Sequence, residues 1–232
     1  MRAMILAAGE GSRLRPLTTH THKALLPIGD TCLLSENLKK LARANIKDIV
    51  INVSYLAEQI MDYVGDGSRF GVRVQYSHEK EGRLGTAGGI HQALDLFDDE
   101  PFWVVSADIY SDYSIDLNKT LAKNTDIFLV MVPNPSYHPA GDFGFLSDGP
   151  SGSKLLSLDA VPKYTFGNIS LLHPRLFLNY RLGVYELGAV FRDAINTRRA
   201  HGELYQGSWY NMGTPADYED LRARAKLNER IY

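Results

Sequence analysis

Three cations, Arg13, Arg15 and Lys23, stand within eleven positions on a loop rich in small residues, Leu6-Ala7-Ala8-Gly9-Glu10-Gly11-Ser12. Glycine and alanine let a backbone approach a phosphate chain closely, with its N–H groups pointing at it. Fixed cations beside them suit the charge of a triphosphate. The pattern predicts a nucleoside-triphosphate loop. Two commoner glycine loops do not fit. The dinucleotide fingerprint needs a third glycine where Leu14 stands and a helix at once, which Pro16 opposes. The P-loop needs a Gly-Lys-Ser/Thr that is missing here. A nicotinamide oxidoreductase is disfavoured on the same grounds. Asp108 closes the apolar run Pro101-Phe102-Trp103-Val104-Val105-Ser106-Ala107, a carboxylate at a strand end.

The elements that must position these residues alternate in the first half. Apolar or β-branched runs at 3–8, 48–53, 72–76, 101–107 and 127–132 read as strands. Helical spacing at 33–43, 55–64 (capped by Ser54 and closed by Gly65), 86–97 (capped by Thr86) and 117–123 reads as helices. Strand and helix in alternation predict an α/β fold with a mostly parallel sheet covered on both faces. Ligands of such sheets bind beyond the carboxyl ends of the strands. The loop after Ala8 and Asp108 both fall there, which predicts one shared site. The second half has short strands at 142–146, 154–159 and 165–172 around a turn at 147–152, read as a small antiparallel substrate-side extension. A helix at 186–199 stopped near Gly202, a strand at 205–210 and a last helix to about Glu229 follow. Thr214-Pro215-Ala216-Asp217 opens that last helix, with a cap, a proline at the first position and an acid three residues on. Trp103 and Trp209 read as core; His138 and His173, beside prolines, as structural or solvated. The chain reads as one domain, 1–232, with a nucleotide half (1–132) and a sugar half (133–232).

The 232 residues are 44 % hydrophobic and 22 % charged, with a formal net charge of -2, an ordinary soluble composition that argues against a global nucleic-acid or membrane field. Cys32 stands alone, which excludes a disulfide framework and suits a reducing cytoplasm. No apolar stretch approaches the ~20 residues of a membrane span, and the first nine residues are too short for a signal peptide.

Leu6 to Thr18, followed by Lys23-Ala24-Leu25-Leu26-Pro27, resembles the signature of the sugar-phosphate nucleotidylyltransferases. The likeness continues through Leu84-Gly85-Thr86-Ala87-Gly88-Gly89, Val105-Ser106-Ala107-Asp108 and Trp209-Tyr210-Asn211-Met212-Gly213-Thr214-Pro215, nearly the whole chain. It implies a Rossmann-like mixed sheet of the glycosyltransferase-A-like nucleotidyltransferase kind. Within the family, Gly67-Ser68-Arg69-Phe70-Gly71, Asp142-Phe143 and Ile169-Ser170-Leu171-Leu172-His173-Pro174 resemble the N-acetylmuramic acid 1-phosphate uridylyltransferases of cell-wall peptidoglycan recycling. Mannose- and heptose-1-phosphate guanylyltransferases share most other motifs and are the alternative. The chain stops soon after the last helix, without the C-terminal domain of many members, which favours a monomer.

The resemblance implies a Mg²⁺-dependent reaction of a nucleoside triphosphate with a sugar 1-phosphate. It assigns catalysis to Arg13, Lys23 and Asp108. Nucleotide contacts fall to Ala8, Gly9, Gly11, Ser12, Arg13, Lys23, Thr86, Gly88 and Ser106. Sugar contacts fall to Glu79, Asp142 and Asn168, with Lys163 a candidate for the sugar phosphate. Metal ligation falls to Asp108 and Asn211. Two departures matter. His22 and Ala24 replace prolines that usually flank the lysine, which predicts a less stiff loop. Asn211 replaces the second metal aspartate, bringing an oxygen ligand without charge and leaving a nucleotide-sugar-binding protein with impaired catalysis as a second reading.

Overall fold

The computed structural model describes residues 1–80, 82–148 and 153–226. In chain order its elements are β1 (Arg2–Ala7), α1 (Leu33–Arg43), β2 (Asp48–Val53), α2 (Ala57–Val64), β3 (Arg73–His78), α3 (Gly85–Gln92), β4 (Phe102–Ser106), β5 (Ile109–Ser111), β6 (Ile127–Val132), β7 (Phe143–Asp148), β8 (Lys154–Ser157), β9 (Lys163–Leu172), α4 (Leu187–Asn196), β10 (Ala200–Leu204), β11 (Trp209–Asn211) and α5 (Pro215–Lys226). They form two compact units interleaved along the chain. The first holds Arg2–Arg83, Val105–Leu117 and the residues from Gly207 onward; the second holds Leu84–Val104 and Asn118–Gln206.

In the first unit β1, β2 and β3 pair in parallel, in register from Arg2, Asp48 and Arg73 to Ala7, Val53 and His78. β2 is buried from Ile49 to Val53, as a parallel strand covered on both faces should be. α1 buries Leu33, Leu34, Leu38 and Leu41, a stripe at three- and four-residue spacing that seats one helix face. β5 and β11 make a short antiparallel ribbon with Asn211 opposite Ile109. A core cluster joins Leu14 to Ile28, Met212, Tyr218 and Leu221. It ties the glycine loop, the ribbon and α5 together, and each such fully buried side chain contributes roughly 1.5–3 kcal/mol.

The second unit carries the mixed part of the fold. β6 pairs antiparallel with β9 and parallel with β10. β8 pairs antiparallel with β10 and β7, and β7 pairs back onto β9. The five strands close on themselves and leave no long open edge. This is the expected α/β class, with antiparallel pairing in the second unit and in the β5–β11 ribbon.

Several local expectations are corrected. α2 begins at Ala57, after Leu56 at φ 49°; Ser54 does not cap it, and its hydroxyl donates to the Glu79 carbonyl at 3.3 Å. α3 begins at Gly85, so Thr86 lies inside its first turn, and it ends at Gln92 before a 3-10 turn at Leu94–Leu96. Residues 117–123 form no helix. A segment this short does not recover its nucleation cost, and Lys119 instead sits 3.6 Å over the Phe128 ring and 3.3 Å from Glu203. Gly202 lies within β10, where a Cβ would fall 2.6 Å from the Leu129 carbonyl; it marks a close backbone approach and not a helix stop. The strand expected at 205–210 is replaced by β10 and β11 on either side. Trp103 is fully buried, whereas Trp209 is only half-buried. The end of the last helix near Glu229 and the turn residues 149–152 lie outside the described residues. Among the described residues no helix is long and apolar enough to cross a membrane.

Candidate active site

The first unit gathers the chemistry-bearing residues at the carboxyl ends of its strands. The Ala107 N–H donates to the Leu6 carbonyl at 3.0 Å, which brings Asp108 beside the loop that leaves β1. That loop turns at Gly11 (φ 62°, ψ 32°) into a 3-10 turn at Ser12–Leu14, a left-handed position that glycine adopts at no steric cost. A Cβ on Gly11 would lie 3.1 Å from both Lys23 Cβ and Thr18 Cγ2, and one on Gly9 would lie 3.5 Å from Lys23 Nζ. The two glycines therefore make room for the Lys23 stem as well as for a ligand. Among the described residues, the N–H groups of Gly9, Glu10 and Gly11 have no hydrogen-bond acceptor. They remain as donors for an anion. Ala8 is half-buried at the loop's start; Ser12 and Arg13 are exposed.

Lys23 pairs directly with Asp108, its Nζ donating to Oδ2, with both side chains four-fifths buried. The Met212 N–H donates to the Asp108 carbonyl at 3.0 Å, so Asn211 stands next to Asp108 across the ribbon. Asn211 Nδ2 and an Arg13 guanidinium nitrogen lie 3.5 and 3.6 Å from where a Gly213 Cβ would be. Arg13, Lys23, Asp108 and Asn211 thus come together in one unit. Asp217 caps α5 by accepting from Thr214 N at 2.7 Å and Gly213 N at 3.2 Å, which fixes the turn after Asn211.

Residues beyond the motif hold this loop. Thr18 donates to the Gly11 carbonyl at 2.8 Å. Tyr55 donates to the Thr18 carbonyl at 3.0 Å, and Gln59 brackets His20 and His22 with bonds of 2.8 Å each. His22 is fully buried, and its Nδ1 accepts from Ala24 N at 3.1 Å. The loop expected to be less stiff without its prolines is thus fastened by hydrogen bonds. Burial, with the Lys23 charge beside it, lowers the His22 pKa to about 4.

Glu79, expected among the sugar contacts, is 3 % exposed and accepts from Asn52 Nδ2 at 2.8 Å, while Asn52 Oδ1 accepts from Ala7 N at 2.9 Å. That chain of bonds places Glu79 behind the end of β1, in the first unit. Ser106, half-buried, ends β4 there.

The second unit contains a cavity of about 580 Å³ lined by Thr86, Asp142, Lys163, Asn168, Glu186 and Arg192 among others. It unites three of the expected contact residues, Thr86, Asp142 and Asn168. Asp142 accepts from Phe166 N at 2.7 Å and lies 3.1 Å from His138 Nε2. The Thr86 hydroxyl and N–H both donate to Glu186, at 3.1 and 3.3 Å. Glu186, not singled out in the sequence, therefore supplies the anion at the start of α3 that the helix dipole favours. Gly88 is not on that cavity wall; a Cβ there would fall 2.2 Å from the Gly183 carbonyl, so close packing alone requires glycine. His173 caps a 3-10 turn, accepting from Arg175 N at 3.3 Å, the structural role expected.

A family model described as "Nucleotidyl transferase" matches residues 2–227. The chain belongs to the nucleotidyl transferase family. An N-acetylmuramate alpha-1-phosphate uridylyltransferase of Neisseria meningitidis is 37 % identical over 230 residues, 97 % of this chain and 98 % of the relative. The catalytic subunit beta of a mannose-1-phosphate guanylyltransferase of Danio rerio is 27 % identical over 94 % of this chain, which spans 62 % of that relative. The fold matches a structure described as a glucose-1-phosphate thymidylyltransferase of Bacillus anthracis, with a TM-score of 0.79 at 20 % identity over 97 % of this chain and 95 % of the other. It also matches the CTP:phosphocholine cytidylyltransferase of Streptococcus pneumoniae, with a TM-score of 0.73 at 22 % identity over 96 % and 97 %.

For a nucleotidyl transferase the donor set fits a magnesium ion. Mg²⁺ is commonly held by one or two carboxylates together with substrate phosphates, keeping waters in its shell. Asp108 would supply one carboxylate and Asn211 a neutral oxygen. Among the described residues there is no cluster of three or more His, Cys, Asp or Glu side chains that could hold a metal ion.

Proposed function

We propose that this nucleotidyl transferase couples UTP to N-acetylmuramic acid 1-phosphate, giving the UDP-sugar and pyrophosphate, in the cytoplasm. The observation that carries the substrate is the 37 % identity, over 97 % of this chain, with the uridylyltransferase named above. The observation that carries the chemistry is the meeting of Lys23 and Asp108 beside a loop with free N–H donors.

An oxygen of the sugar phosphate attacks the α-phosphorus of the triphosphate in line. A new P–O bond forms, the bond to the β-phosphate oxygen breaks, and pyrophosphate leaves with the electron pair. Positioning and charge stabilisation dominate such a reaction. The N–H groups of Gly9 to Gly11, with Ser12 and Arg13, hold the β- and γ-phosphates. Lys23 neutralises charge at the α-phosphate as the transition state forms. Asp108 and Asn211 would hold Mg²⁺, which would supply electrostatic stabilisation of the charge on the phosphates. Thr86, Asp142 and Asn168 contact the sugar and ribose.

The test is pyrophosphate release with UTP, GTP, CTP and dTTP against a panel of sugar 1-phosphates. Mg²⁺-dependent release with UTP and the N-acetylmuramic acid ester is expected. Preference for GTP with mannose 1-phosphate would replace the substrate assignment. Nucleotide binding without turnover on any pair would replace the enzyme reading, with Asn211 as its cause.

A further inference from the structure

The substrate proposed above carries an acidic group that its neutral parent sugar lacks, and the charge layout of the second unit's cavity bears on how that group is recognised. The two acids of the wall are already engaged. Asp142 is bonded to Phe166 N and His138, and Glu186 to Thr86. The two cations are not. Neither the Lys163 ammonium nor the Arg192 guanidinium makes an ion pair or hydrogen bond among the described residues. The wall thus holds two acids with engaged oxygens beside two cations whose donors are open among the described residues, and a sugar 1-phosphate with a carboxylate brings two anions to those donors.

The cations differ in shape. Arg192 is on α4, one turn after Gly188, and its Nη1 lies 3.6 Å from where a Gly188 Cβ would be. The missing side chain leaves one side of the guanidinium open to the cavity. A guanidinium is a planar fork that matches a carboxylate through two parallel bonds, whereas an ammonium is a point charge. Lys163, half-buried at the start of β9, is the point charge left for the phosphate. We propose that Arg192 is a specificity residue: it reads the carboxylate of the sugar and selects the acidic sugar 1-phosphate over the same sugar without the acid. This inference rests on the sugar-1-phosphate reading of the site.

Binding of N-acetylmuramic acid 1-phosphate and of N-acetylglucosamine 1-phosphate, measured by calorimetry, tests it on wild type, R192Q, R192K and K163Q. Arg192 is exposed on its helix, so these changes leave the core intact. A charged hydrogen bond lost in R192Q should weaken the acidic sugar about tenfold or more and leave the neutral sugar within about twofold. R192K should recover part of the loss, and K163Q should weaken both sugars together. Equal losses for both sugars in R192Q, no loss for either, or equal wild-type affinity for the two sugars would overturn the assignment. Turnover with UTP is followed in parallel. Wild type that binds the acidic sugar selectively through Arg192 but transfers nothing to it would sink the proposed reaction and leave the inference standing; wild type that binds neither sugar would sink both.

Discussion

Lys23 and Asp108, 85 residues apart in sequence, form a direct ion pair between the segment that follows β1 and the end of β4. The carboxylate assigned to the metal is thus neutralised by the cation assigned to the α-phosphate. In the proposed reaction the Lys23 ammonium would pass to a phosphate of the triphosphate, and the Asp108 carboxylate would be released to hold a metal ion. The pair holds both groups in alignment before substrate arrives, at little reorganisation cost.

That exchange predicts different signatures for the two partners. Lys23→Met should lower kcat by about 10²–10³, the range for removing one group that stabilises transition-state charge, while leaving Mg²⁺ affinity of the free protein unchanged or raised. Asp108→Asn should lower kcat at least as far and weaken the Mg²⁺ dependence as well. Steady-state pyrophosphate release across a Mg²⁺ titration separates the two. Lys23→Met retaining more than about a tenth of the wild-type kcat would remove it from catalysis.

Asn211 sits beside Asp108 across the ribbon, so a second charge placed there would face the same ion. Asn211→Asp should shift the Mg²⁺ midpoint for turnover to lower concentration, because a hard cation gains from a carboxylate what an amide oxygen does not supply. The check is the same titration at saturating nucleotide. An unchanged midpoint would mean that position 211 does not touch the metal.

The loop and Asp108 were legible because each depends on local sequence: small residues for backbone approach, and an acid at the end of an apolar strand. Their meeting was legible from the rule that ligands sit at the carboxyl ends of parallel strands, and the Ala107 to Leu6 bond realises it. The support of the loop was not legible. Tyr55 and Gln59 act through backbone carbonyls and a backbone N–H far away in sequence, and nothing in their own spacing names those partners. Glu79 looked like a polar loop residue, yet its partner Asn52 lies on a strand that is apolar at every other position after Asp48. Gly202 looked like a helix stop because a glycine after an amphipathic run has two explanations; only the Leu129 carbonyl behind it decides between them.

The His22 environment predicts acid sensitivity. Its folded pKa, about 4, lies below the ordinary 6.5, so between those values the unfolded chain holds a proton that the folded chain does not. Stability linked to His22 is complete above about pH 6.5 and is lost as pH falls toward 4, by about 3 kcal/mol in all. His22→Asn keeps an acceptor for Ala24 N without titrating. The gap in unfolding free energy between variant and wild type, measured by denaturant melts, should therefore move in the variant's favour between pH 7 and 4.5. A constant gap would mean that His22 does not titrate differently in the two states.

Lys40, on α1, carries the opposite kind of cost. Its Nζ is shielded from solvent and has no hydrogen-bond partner among the described residues, and burial lowers its pKa to about 8, with Asp112 opposing the shift. Between pH 8 and the ordinary 10.5 the unfolded chain holds the extra proton, so the stability linked to Lys40 is smallest below pH 8 and recovers as pH rises through that window. At neutral pH the ammonium is charged in both states, and the folded state bears an uncompensated desolvation. An apolar side chain of similar length removes that burden, as replacement of poorly compensated buried charge often does. Lys40→Met should therefore raise the unfolding free energy by about 1–3 kcal/mol at pH 7, and the gain should shrink by pH 10. Denaturant melts at the two pH values measure it. A loss of stability at pH 7, or a gain that does not change with pH, would show that the ammonium makes a compensating interaction in the folded protein.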